Sequence, residues 1–180
     1  SAPSETVRPG PTPIIAEGLV APPLDDLVTG GTSFDLASLR GHPTILFFGY
    51  THCPDVCPAT IGELMQVVDR RPDARVVFVT VDPERDTPEF MATWTKYMPK
   101  GFIGVTGSPT AIKAAADGYG ARYARVDSAS AAGYSMSHTA FQYLIDAEGR
   151  LLLKYPFGTS WETLLDTLDT VATPDQEASS

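Results

Sequence analysis

Two short apolar runs do most to limit what this chain can become. Residues 44–49 and 75–81 each contain four consecutive apolar positions, 45–48 and 76–79, with no polar alternation. Runs of that length are too short for a buried helix and read as strands covered on both faces. Between them, from about Pro58, Ile61, Leu64, Met65 and Val68 recur at helical spacing until Pro72, whose ring forbids continuation. Strand, helix and strand, with both strands buried, make the repeating unit of a sheet sandwiched between helix layers.

The rest of the chain extends that unit. Thr87-Pro88-Glu89 starts a second helix, with a hydroxyl N-cap, Pro at the first helical position and an acid in the first turn. Phe90, Trp94, Tyr97 and Met98 are its expected buried stripe. Residues 101–105 read as a strand, 109–118 as an Ala-rich helix and 122–126 as a strand. After a Ser/Ala/Gly loop, residues 139–145 and 150–155 read as two strands joined by the turn Asp146-Ala147-Glu148-Gly149. A last helix carries Trp161, Leu164, Leu165 and Leu168, and residues 33–39, ahead of the first core strand, are expected as a short strand or hairpin leading to Gly41. The fold class is therefore α/β, with the element order of a thioredoxin-like fold: a central mixed β-sheet flanked by helices, an N-terminal strand or hairpin, and an inserted strand and helix.

At 180 residues there is room for one ordinary domain. Thirteen basic against twenty-two acidic residues give a net charge of −9, the wrong sign for a nucleic acid or an anionic membrane surface. No apolar run exceeds four residues, whereas a membrane-spanning helix needs ~20. Six of the sixteen prolines fall among the first 24 residues, so residues 1–24 are expected as a flexible tether, 25–173 as the domain and 174–180 as a flexible tail. The chain does not start with Met, which leads us to expect an upstream anchor or signal segment.

The chemistry concentrates in Thr51-His52-Cys53-Pro54-Asp55-Val56-Cys57-Pro58, where the first buried strand hands over to a helix. Either Cys57 is the N-cap and Pro58 the first helical residue, or Pro54 starts the helix and the cysteines lie at i and i+4, roughly 6 Å apart. Both readings bring the sulfurs together at the positive end of a helix dipole, which favours thiolate. A reversible disulfide is also within reach. Two buried small hydrophobes would be the bland alternative, but Cys flanked by Pro and Asp at a helix start is a poor core position. Two thiolates select a soft cation such as Cu(I) or zinc, and with only two cysteines in the chain a third ligand has to come from elsewhere.

The histidines are His42, His52 and His138. His42 sits in a Gly-Pro loop. His52, next to Cys53, points most simply away from it and acts as a supporting or surface residue. His138 enters the hairpin strand, which in a thioredoxin-like sheet faces the Cys-bearing helix start, at the place where thioredoxins carry a cis-proline. Met136 is a candidate auxiliary ligand or plain packing. The stretch Asp82-Pro83-Glu84-Arg85-Asp86-Thr87 lies on the same rim: Asp86 and Thr87 read as helix caps, and Asp82 or Arg85 as residues that orient the Cys turn or dock a partner.

These residues resemble the Sco family, the copper-handling assembly factors of cytochrome c oxidase. The resemblance rests on residues 48–58, on Val81-Asp82-Pro83-Glu84-Arg85-Asp86-Thr87-Pro88, on Thr106-Gly107, on His138-Thr139, and on Tyr143-Leu144-Ile145-Asp146 with Gly149. It implies one copper ion per chain, as Cu(I) or Cu(II), held by Cys53, Cys57 and His138. It further implies a monomer tethered on the extracytoplasmic side of a membrane through the missing N-terminal anchor. Such a protein helps build the dinuclear copper centre of oxidase subunit II by donating copper, by reducing that subunit's cysteines, or by both. Its partners would be the subunit II copper domain, with another copper chaperone or a thioredoxin-like protein as a further candidate. Family members often carry an acidic residue before the ligand histidine; here it is Ser137. The rival reading is a thiol–disulfide oxidoreductase in which Cys53 attacks and Cys57 resolves. A peroxiredoxin-like peroxidase would want a Thr three residues before its cysteine, where Tyr50 stands.

Overall fold

The computed structural model describes residues 12–13, 20–53, 56–127 and 133–172, with 12–13, 56–57 and 171–172 described by their backbone alone. At its centre β4 (Thr44–Gly49) runs parallel to β5 (Arg75–Thr80), and β5 parallel to β6 (Phe102–Gly107). These are the runs expected to be strands buried on both faces, and β4 is buried at every position. α1 (Val56–Arg70) makes the crossover between the first two. β9 (Gln142–Ile145) pairs antiparallel with β4, and β10 (Leu151–Tyr155) with β9. β2 (Leu27–Thr29) adds antiparallel to β6, with β3 (Thr32–Ser33) outside it, and β1 (Thr12–Pro13) lies against β10. The sheet order is β1-β10-β9-β4-β5-β6-β2-β3.

The pleat sends alternate side chains to opposite faces and thereby divides the core. Ile45, Phe47, Val76 and Phe78 face α1, α2 (Pro88–Lys96) and α4 (Trp161–Ala172) through Leu64, Met91, Leu164 and Leu168. Leu46, Phe48, Val77 and Val79 face α3 (Pro109–Gly118) through Ile112, Ala115 and Ala116.

Three expectations shift. On α2 the buried residue is Met91 (1% exposed), whereas Phe90 is 41% and Tyr97 81% exposed. The stripe is Met91, Trp94 and Met98. Met91 fits because β6 presents Gly104 beneath it; a Cβ there would lie 2.9 Å from Met91 Cε. The N-terminal hairpin is β2–β3, turning at Gly30 and Gly31 with φ of 54° and 81°, the geometry of a tight two-residue turn. Residues 36–39 are instead a 3₁₀ turn in which the Asp35 side chain accepts from Ala37 N–H. The span expected as one strand over 139–145 is β9 alone, preceded by a separate strand, β8 (Tyr134–His138), which pairs antiparallel with β7 (Tyr123–Asp127) in a two-stranded sheet of its own. Most of the expected tether, and the tail from residue 174, lie outside the described residues, but Ala21 and Leu24 are buried in the core. Among the described residues no helix is long and apolar enough to cross a membrane.

Asp86 holds the carboxyl ends of the three parallel strands together. Its fully buried carboxylate accepts from the Thr51 N–H (3.0 Å), the Thr51 hydroxyl and the Thr80 hydroxyl (2.6 Å). Its carbonyl accepts from Thr106 Oγ1 at 2.8 Å. Asp86 is therefore not a helix cap; that role falls to Thr87, whose side chain accepts from Phe90 N–H.

Two stability predictions follow from this packing. Met91→Ala should lower the unfolding free energy by about 2–5 kcal/mol, and Phe90→Ala by less than about 1 kcal/mol; the reverse order in urea denaturation would refute the assigned face of α2. Asp86→Ala strands buried donors and should cost about 2–4 kcal/mol, against under about 1 kcal/mol for Asp73→Ala in the exposed pair with Arg71.

Candidate metal centre

β4 delivers Tyr50, Thr51, His52 and Cys53 to the carboxyl edge of the sheet, where the Asp86 bonds fix the backbone of Thr51. Cys53 N–H donates to Tyr50 C=O at 3.2 Å, which closes a tight turn. Cys53 is 8% exposed and belongs to the same packed cluster as Tyr50. α1 is described from Val56, so Cys57 lies within the helix rather than at its cap. The Cys57 side chain, and with it the expected sulfur pair and reversible disulfide, lies outside the described residues, as do Pro54 and Asp55.

His138 ends β8. Its ring meets the ring of buried Tyr50 edge-on, with centroids 5.8 Å apart. Its Nδ1 lies 3.2 Å from Thr139 C=O. A carbonyl can only accept, so Nδ1 carries the proton and Nε2 keeps the lone pair, the arrangement in which imidazole ligates a metal. Burial holds the His138 pKa below its ordinary value, outweighing the bond to Thr139, and this favours the neutral, ligating form. His138 and Thr60 of α1 line one small cavity of about 10 Å³. Cys53 and His138, 85 residues apart in sequence, thus both abut Tyr50.

The other candidates separate. His42 precedes β4, bonds through Nδ1 to Asp73 C=O at 2.8 Å, and stands a strand length, ~20 Å, from the Cys turn. His52, its side chain 46% exposed, stacks on Phe90 at 5.8 Å with Nδ1 3.1 Å from Thr51 Oγ1 and 3.8 Å from Asp86 Oδ1. Met136 is half-buried on β8 and packs on the core. Buried Asp82 accepts from Arg85 Nε at 2.5 Å and from the Tyr134 hydroxyl at 2.7 Å. Arg85 Nη1 donates to Tyr134 C=O at 3.2 Å, and its guanidinium lies 5.7 Å from the Tyr50 ring. Tyr134 was not singled out in the sequence, where it is a lone aromatic after a Ser/Ala/Gly tract with no periodicity around it. Ser137 is exposed on β8 opposite Ala124. Among the described residues no three His, Cys, Asp or Glu side chains come close enough to hold a metal ion. Cys53 and His138 are a soft and a borderline donor that meet at this edge through Tyr50.

This arrangement has close counterparts. Residues 21–173 match the family model described as SCO1/SenC. The chain is 34% identical over 149 residues to an SCO2-like protein of Rickettsia prowazekii, covering 80% of this chain and 73% of the relative. Copper-bound ScoI of Arabidopsis thaliana superposes with a TM-score of 0.78 at 31% identity, covering 85% of this chain and 98% of that one. Copper-bound ScoI of Bradyrhizobium japonicum does so at 0.72 and 32%, covering 84% and 99%. The helices packed on both faces of a mixed sheet, the Cys-bearing turn at its carboxyl edge and the family match across the whole folded region lead to one assignment: this thioredoxin-like chain belongs to the SCO1/SenC family.

Proposed function

We propose that this protein binds one copper ion through Cys53, Cys57 and His138 and passes it to the dinuclear copper centre of cytochrome c oxidase subunit II. The observation that carries the reading is the convergence of Cys53 and His138 on Tyr50, with His138 Nδ1 held on the Thr139 carbonyl. The copper-bound relatives support it. Two thiolates and an imidazole suit Cu(I). Three protein ligands leave a position open, so a partner's thiolate can enter as one of the chain's own ligands leaves; copper moves by ligand exchange, with no change of oxidation state and no release of free ion. Cu(II) would need added oxygen or solvent ligands.

Thiol–disulfide exchange on the partner's cysteines, with Cys53 attacking, is the second reading, and it has no observation of its own among the described residues beyond the position of Cys53 at the sheet edge. The setting taken from the family resemblance, a monomer held on the extracytoplasmic side of a membrane by an N-terminal anchor, belongs to the same proposal.

Anaerobic titration of the reduced protein should show about one tight equivalent of Cu(I), weakened about ten- to a hundredfold by His138→Ala. Unchanged affinity in that variant would remove His138 from the site. Protons compete for a ligating imidazole only below its pKa, and here that pKa lies under the ordinary histidine value. The His138 share of the Cu(I) affinity should therefore persist down to about pH 6.5 and decline below it; a share already lost at higher pH contradicts the neutral assignment.

A further inference from the structure

His138 rides on a hairpin that stands apart. Among the described residues neither β7 nor β8 pairs with a strand of the main sheet, and four of the five β7 residues are exposed. An isolated two-stranded hairpin is marginally stable in water, so its placement depends on what grips it. The far end of β8 is gripped at Tyr134. The guanidinium carbons of Arg85 and Arg125 both lie 3.9 Å from the centre of that ring, over its π-system. The Tyr134 hydroxyl donates to one oxygen of buried Asp82, and Arg85 Nε donates to the other. Arg85 Nη1 bonds the Tyr134 carbonyl, while Arg125 reaches across to Glu84 at 3.1 Å. The orientation of Arg85 is set by these contacts at a cost: its buried Nη2 has no hydrogen-bond partner among the described residues. Burial and the bond to Asp82 push the Tyr134 pKa up to about 12, so the hydroxyl remains a donor throughout the working range.

The same guanidinium faces the ring of Tyr50, on which His138 rests. We propose that Arg85 and Tyr134 are positioning residues for His138: with Asp82 they clasp the far end of β8 and so set where the imidazole stands over the Cys-bearing turn. The proposal rests on the copper reading for its purpose, but the placement of the ring is a property of the metal-free protein. Neither residue touches the ion; both act through β8 and Tyr50.

The test uses Arg85→Gln and the milder Tyr134→Phe, which keeps the stacked ring and removes only the hydroxyl, each in the wild-type and the His138→Ala background. In the metal-free protein, the His138 ring signals in carbon-edited NMR should move in both variants as the ring leaves its edge-on contact with Tyr50, while those of remote His42 stay in place. In chelator competition, Arg85→Gln should weaken Cu(I) binding about tenfold or more with His138 present and by less than about twofold without it. An equal loss in both backgrounds, or His138 signals that do not move in a folded variant, would overturn the clasp. If the wild type binds no copper yet the His138 signals shift, the clasp stands and the copper reading falls.

Discussion

The buried carboxylate of Asp86 is the constraint on which the site depends. Three parallel strands finish at one edge of the sheet, where their last backbone and hydroxyl donors have no further ladder to join. Asp86 receives donors from the segments following or ending β4 and β5, and its carbonyl receives one from β6. In a low-dielectric interior such a group is costly when unpaired and strongly directing when satisfied. The turn that carries Cys53 is thus placed less by its own hydrogen bonds than by a residue 33 positions further along the chain.

Tyr50 links that fixed edge to chemistry. Its carbonyl shapes the Cys53 turn and its ring seats His138. The two donors nevertheless hang from parts of the molecule that are anchored differently. Cys53 is built into the core, whereas His138 belongs to a hairpin outside the main sheet that packs on the core through Tyr123 and Met136 and is clasped at Tyr134. Under the proposed copper reading the ion must be held tightly and still be yielded, and ligands on separately anchored elements would reconcile those demands: one could leave without unfolding the body that carries another.

Much of this was legible in the sequence where the determining contacts are local. The apolar runs of β4 and β5, the Thr87 helix cap and the Asp146–Gly149 turn each announce themselves within a few residues. Topology then brought His138 toward the Cys turn without any local signal. What escaped depends on distant partners. Phe90 outranks Met91 in apparent hydrophobicity, and only the gap left by Gly104 on β6 decides between them. β8 has a weak, half-polar pattern, and its anchor Tyr134 meets Asp82 across 52 positions; no spacing rule reaches that far. Asp86 read as a cap because Asp before Thr-Pro is a common helix start, while its three donors are visible only once the strands are assembled.

The most direct test of the central claim is X-ray absorption at the copper edge of the reduced protein loaded with one equivalent of Cu(I). The account predicts two sulfur donors and one nitrogen donor, with the nitrogen contribution gone in His138→Ala. A sulfur-only spectrum in the wild type, or a nitrogen contribution that survives that substitution, would contradict it.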